Sequence, residues 1–185
     1  MIQSNETMSA SHEPYGIRLA RLGELARLRE IEDEAGQMLS ATGLIDETRD
    51  QSFPQELLAR LIGSGQVWVA CTADDVPVGV VMAAPREGAV YLEEIDVLPS
   101  HGRRGLGARL LAQVCAWAEQ QGYPAVTLST FRDVPYNGPF YRKHGFQDLS
   151  PAEWTPGMKA IREEEQRHGL RVDARVFMRK VLSGA

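Results

Sequence analysis

Three acids, Glu93, Glu94 and Asp96, sit close together in a run otherwise made of strand formers, Val90-Tyr91-Leu92-Glu93-Glu94-Ile95-Asp96-Val97. Carboxylates fixed on a strand can take a proton from a reacting group. Pro99 ends the run, because proline offers no N–H to a ladder. His101, Gly102, Arg103 and Arg104 form a loop, and Gly105-Leu106-Gly107 opens an apolar-periodic helix. The first turn of a helix has unpaired N–H groups and a partial positive charge, and glycine lets an anion approach the backbone. The two arginines add formal charge and forked donors. Proton acceptors on a strand thus lead directly into an anion site suited to a phosphate-bearing ligand.

The glycine spacing narrows the kind of ligand. A dinucleotide fingerprint needs a third glycine at position 110, where Leu110 stands, and the Gly-Lys-Ser/Thr of a P-loop is absent. A Gly-x-Gly at a helix start can also serve only a tight turn and close packing. About thirty residues on comes a second pattern, Asn137, Phe140-Tyr141 and Gly145-Phe146. With both motifs in this order, the chain resembles the GNAT superfamily of CoA-dependent N-acyltransferases over about residues 15–181. In that family the pyrophosphate of acetyl-CoA sits on a loop written (Gln/Arg)-x-x-Gly-x-(Gly/Ala), matched here by residues 102–107. Gly102 departs from the pattern, which removes a side-chain contact but leaves the backbone donors. The resemblance implies acetyl-CoA as acyl donor, held by Arg103, Arg104, Gly105, Leu106, Gly107 and Ala108, with no metal.

Acyl transfer from a thioester to an amine has three physical needs. The amine must be neutral, and deprotonating a lysine-like ammonium of pKa ~10.4 at neutral pH costs on the order of 4–5 kcal/mol. Glu93 and Glu94 are the candidate bases. Strand alternation places Glu93 with Tyr91, Ile95 and Val97, and Glu94 with Asp96 on the other side; either carboxylate could instead be structural. The developing oxyanion needs donors, which the resemblance assigns to backbone N–H groups at Val97 and Leu98. The leaving thiolate needs a proton, and Tyr141 matches the family tyrosine with that role. Asn137 matches a position that contacts the pantetheine arm, or it caps a helix. Cys71 and Cys115 fall inside a strand and a helix and read as packed apolar groups, which favours direct transfer in a ternary complex. Arg132 and Asp133 lie where loop residues could select the acceptor.

Periodicity supplies the elements that must position these groups. Residues 15–20 read as a strand. Leu25, Leu28, Ile31 and Ala35 mark a helix over 23–37, and Leu57, Leu58, Leu61 and Ile62 mark a second near Pro54. Strands follow at 67–72 and 78–83, joined by a hairpin turn, and the 90–97 strand completes a meander. A helix from Gly105 crosses to a strand at 125–129, which should therefore lie parallel to 90–97. A short helix ends at Gly145, a charged helix occupies 156–168 with Met158, Ile161 and Glu165 on one side, and 175–181 alternates as a last strand. The resemblance implies an α+β fold, an α/β three-layer arrangement with a mixed, mostly antiparallel sheet splayed between the fourth and fifth strands and flanked by helices. Residues 1–14 read as a disordered leader to one domain over 15–185.

The chain has 185 residues and a formal net charge of −5, which argues against a general nucleic-acid binder. No transmembrane run or signal-peptide region is visible, so the expected location is cytoplasmic and no membrane partner is implied. The two cysteines lie far apart without a Cys-x-x-Cys, so no metal site is suggested. The acidic chain and strand point to a small-molecule cationic amine as acceptor. A protein or peptide acetyltransferase, acting on an N-terminus or a lysine, is the alternative; a non-catalytic CoA-binding sensor is the reading from another class. Dimers are common in the family, so a homodimer is compatible with the resemblance.

Overall fold

A computed structural model describes residues 15–40, 42–45 and 53–183. The expected leader at 1–14 lies outside them. Among the described residues, seven strands form one sheet, β1 (Gly16–Leu19), β2 (Val67–Cys71), β3 (Pro77–Arg86), β4 (Ala89–Val97), β5 (Ala125–Phe131), β6 (Gln147–Asp148) and β7 (Arg175–Val181). Their order is β1-β2-β3-β4-β5-β7-β6. Among the described strands only β4 and β5 pair in parallel, joined through helix α3 (Leu106–Gln120) as the crossover expectation required. The other helices are α1 (Leu25–Ser40), α2 (Gln55–Gly63), α4 (Gly138–Lys143) and α5 (Pro156–Arg167). Among the described residues, no helix is long and apolar enough to cross a membrane.

The sheet has two unlike faces. On one, α3 buries Leu106, Leu110, Leu111, Val114 and Ala118 against the strands, as its 3.6-residue apolar period dictates. That contact is close at Gly79 of β3, where an added Cβ would lie 3.0 Å from the Asp96 carbonyl and 3.3 Å from Leu110 Cδ1. Val126, Leu128, Val176 and Met178 continue this core toward Tyr141 and Phe146. On the other face, α5 covers a smaller cluster of Tyr91, Leu149, Met158 and Phe177, with Trp154 and Ile161 packed against it. Thr155 caps α5 by accepting from Met158 N–H, and Glu87, in the β3–β4 turn, accepts a further hydrogen bond from Gly157 N–H at 2.9 Å. Helix α5 is therefore tied at its first turn to the hairpin leading into β4.

Candidate active site

The anion end of the site is backbone. Gly105 is the N-cap of α3 with φ +76°, a left-handed conformation that costs glycine little, and no side chain caps the first turn. Arg103, two residues earlier, is also left-handed at φ +57°. Turns of this kind aim successive N–H groups into a concavity that favours anions. The side chains of Arg103 and Arg104 are exposed beside it, while Leu106 is buried and Gly107 lies against the Phe140 ring. Tyr15, to which no motif drew attention, braces this loop. Its hydroxyl hydrogen-bonds His101 Nδ1 at 2.8 Å, its carbonyl accepts from Arg109 Nη2 at 2.8 Å, and its ring lies 6.0 Å from the Arg104 guanidinium. Backbone donors, two exposed guanidiniums and a side-chain-free Gly102 fit a pyrophosphate.

From that loop β4 leads into an opening. The β4–β5 ladder consists of Val90 opposite Val126 and Tyr91 opposite Thr127, and beyond these pairs the strands separate. Backbone groups along β4 alternate between its two edges. The Leu98 N–H is taken by the Val78 carbonyl at 2.9 Å, on the β3 side. Of the two donors expected near the end of this strand, Val97 is therefore the one whose N–H is directed toward the splay.

Glu93 breaks the strand's alternation. Met82 of β3 pairs with Glu94 but Ala83 pairs with Leu92, so Glu93 is an unpaired bulge residue. The extra residue shifts the phase. Tyr91, Glu94 and Asp96 share the α5 face, while Leu92, Ile95 and Val97 share the α3 face. The expected grouping of Glu94 with Asp96 holds, and that of Tyr91 with Ile95 and Val97 does not. Glu93 turns to Arg86, whose Nη2 lies 2.7 Å from its carboxylate, with 9% of the Glu93 side chain exposed.

Glu94 and Asp96 are joined by Glu32 of α1, which sits one turn beyond Leu28 on that helix's inward side. Desolvation, followed by the negative charge of Glu32, pushes the Glu94 carboxyl up to about 7, while Arg175 and the Ile95 N–H act in the opposite direction. Burial and the neighbouring Glu94 and Glu32 hold Asp96 well above the usual carboxylate range. Burial likewise raises Glu32. Glu32 Oε2 and Asp96 Oδ2 are buried with no hydrogen-bond partner among the described residues.

Tyr141, in α4 on the opposite face, is 5% exposed and packs edge-on against Phe140 and Phe146. Burial raises its phenol above the ordinary value, and the next contributors are the charges of Glu94 and Asp96. The phenol thus feels the carboxylates across the splay and keeps its proton at neutral pH. Asn137 occupies the N-cap position of α4, yet its side chain makes no capping bond, so its amide is not spent on the helix. Cys71 and Cys115 are buried, and burial pushes both thiols up. Arg132 and Asp133 are exposed.

A basic wall faces the acids from the far side of the splay. Arg175, at the start of β7, lies over the Phe131 ring and donates through Nε to Glu165 of α5 at 2.9 Å and through Nη2 to the Ser129 carbonyl at 3.0 Å. Glu165 shares the buried side of α5 with Met158, in keeping with its helical spacing. Of these groups only Glu165 was marked in the sequence, as an acid at a stripe position; Glu32 and Arg175 were not singled out.

Comparison with known proteins agrees with this geometry. The model of the acetyltransferase (GNAT) family matches residues 25–146. PaiA N-acetyltransferase from Thermoplasma acidophilum, solved with coenzyme A, is similar at a TM-score of 0.71 and 19% identity, over 91% of this chain and 99% of that one. The ribosomal-protein-S18-alanine N-acetyltransferase of Escherichia coli is similar at 0.64 and 17%, over 93% and 96% of the two chains. N-acetylglutamate synthase from Neisseria gonorrhoeae, complexed with coenzyme A and N-acetyl-glutamate, is similar at 0.69 and 17%, over 91% of this chain and 35% of that one. At these identities the likenesses establish a shared fold.

Proposed function

The chain belongs to the acetyltransferase (GNAT) family, and from that premise we propose that it moves an acetyl group from acetyl-CoA to a primary amine of a small molecule, by direct attack in a ternary complex. The observation that carries this reading is the opposition of Glu94 and Tyr141, on opposite faces of the sheet and coupled through the β4–β5 splay. Acetyl-CoA supplies an activated carbonyl and a thiolate leaving group. The 102–108 loop holds its pyrophosphate, through the N–H groups of Gly105, Leu106, Gly107 and Ala108 and the side chains of Arg103 and Arg104. Asn137 is placed to meet the pantetheine arm.

Each chemical need then has one group of this chain to meet it. Glu94 takes a proton from the acceptor ammonium, and a carboxyl raised to about 7 suits a base that works near neutral pH. Glu93 is committed to Arg86 and is not the base. As nitrogen bonds to the carbonyl carbon, the Val97 N–H donates to the developing oxyanion. As the carbon–sulfur bond breaks, Tyr141 donates its phenolic proton to sulfur, and the second proton shed by the attacking nitrogen restores the phenol. With both thiols buried and raised, no cysteine is placed to form an acyl-enzyme. Packing of α5 over Tyr91 and Phe177, on the face that carries Glu94, favours a small acceptor over an open peptide groove.

Thiol release from acetyl-CoA across amino acids, polyamines, aminoglycosides, arylalkylamines and short peptides tests the reading. Amine-dependent release is expected. If no amine accelerates release while acetyl-CoA binds, the proposal fails.

A further inference from the structure

Four buried polar atoms without hydrogen-bond partners among the described residues belong to the α5 cluster: Trp154 Nε1, Arg162 Nε and Nη2, and Glu165 Oε2. Buried polar groups are nearly always satisfied, so a concentration of exceptions calls for an explanation. The pattern at Arg162 is specific. Its Nη1 donates to the Val172 carbonyl at 2.6 Å and lies 3.5 Å from Glu165, which fixes one end of the guanidinium. Its Cζ lies 5.0 and 4.9 Å from the ring centres of Trp154 and Phe177, two rings set edge to face. The open atoms, Nε and Nη2, together form one side of the fork, the edge that receives the two oxygens of a carboxylate.

Charge on the two walls of this face points the same way. Glu32, Glu94 and Asp96 stand on the α1/β4 side, where Arg29 lies 3.5 Å from Glu32 Oε2 and Asp96 Oδ2 has no hydrogen-bond partner among the described residues. On the α5/β7 side, Arg162 and Arg175 share the single acid Glu165, at 3.5 and 2.9 Å, which leaves one positive charge over. An acceptor with a cationic end and an anionic end complements both walls, whereas a plain diamine complements only the first.

We propose that the Nε–Nη2 edge of Arg162, whose Cζ lies over the Trp154 ring, receives a carboxylate of the acceptor, so that the acceptor belongs to the amino-acid class, an amine and a carboxylate on one small molecule. Both nitrogens are closed off from solvent. The carboxylate therefore enters as the Trp154 turn or α5 shifts, and is held where a charge-assisted pair is strong. This rests on the acetyltransferase reading above and adds to it the identity of the acceptor's second group.

The test compares each amino acid with its α-amide, with β-alanine and γ-aminobutyrate added to vary the spacing, in the wild type, Arg162→Gln and Arg162→Lys. Expected in the wild type is a KM for the best acid about 10- to 100-fold below that of its amide. Arg162→Gln should raise the acid's KM to the amide's while leaving the amide's KM and kcat in place, and Arg162→Lys should restore part of the preference. Titration with the preferred acid should also change tryptophan fluorescence, and Trp154→Phe should remove that change. Equal KM for acid and amide in the wild type overturns the proposal, and so does a loss in Arg162→Gln that falls equally on both. If Arg162→Gln does not fold, the wild-type ratio and the Trp154 signal decide. Amines acetylated without preference for a carboxylate overturn this inference alone; silence with every amine overturns the acetyltransferase reading with it.

Discussion

The two faces of the sheet are built on different terms. Beneath α3 and α4 the side chains that meet are apolar and close-packed, and the polar work is left to backbone N–H groups at a helix start. Beneath α1 and α5 the sheet carries Glu94, Asp96, Ser129 and Arg175, and all the buried unpartnered polar atoms among the described residues lie on that side. One face is thus packed for stability, and the other, at the expense of stability, carries the groups proposed to receive the acceptor. The bulge at Glu93 links them, because by shifting the phase of β4 it sends Ile95 and Val97 into the apolar face while Glu94 and Asp96 meet the other.

The sharpest way to break this contrast is to remove the charge of Glu94. Glu94→Gln is expected to lower kcat/KM by about 10²–10⁴-fold, the usual contribution of a positioned base. The same change should make the protein more stable. The Glu94 carboxyl is raised from 4.5 to about 7 in the fold, so its ionised form costs stability that is absent below pH 4.5, grows between 4.5 and 7, and is complete above 7. Thermal melts should therefore show Glu94→Gln above the wild type by several degrees at pH 8 and level with it at pH 4.

Tyr141→Phe comes next. It removes the proposed proton donor without emptying the aromatic cluster, so kcat should fall about 100-fold while calorimetric affinity for acetyl-CoA and the melting temperature stay near wild type. A variant that binds acetyl-CoA poorly would instead mean that Tyr141 serves the apolar face alone.

On the other face, Gly105→Val should weaken acetyl-CoA binding and cost about 1–2 kcal/mol of stability, because valine resists φ +76°. The KM for the acceptor should not move. A rise in acceptor KM would show that the faces are not separable in this way.

The smallest effect expected is a displacement along the pH axis. Activity should rise with pH through about 7 as Glu94 ionises. Because the charge of Glu32 raises that carboxyl, Glu32→Gln should move the ascending limb to lower pH in a pH profile of kcat/KM.

How much the sequence disclosed follows the same division. The apolar face was legible because period carries it: the stripe Leu106, Leu110, Val114 gave α3, and the crossover gave the parallel β4–β5 pair. The Gly105 turn was legible because a glycine at a helix start has few other uses beside two arginines. The other face was read only in part. Alternation grouped Glu94 with Asp96, but a bulge leaves no mark in a run of strand formers, so the fate of Glu93 and the side of Tyr91 could not be derived. Arg162 and Arg175 were invisible for a plainer reason. A charged residue on a charged helix, or at a strand end, looks solvated until a neighbouring element covers it.

The most direct test of the account is thiol release from acetyl-CoA over a panel of small amines, measured for the wild type beside Glu94→Gln and Tyr141→Phe. The account predicts release that depends on the amine and falls in both variants, with acetyl-CoA still bound by each. Amine-dependent release that survives intact in both variants would contradict it, because the two faces would then not meet at the splay to do the chemistry.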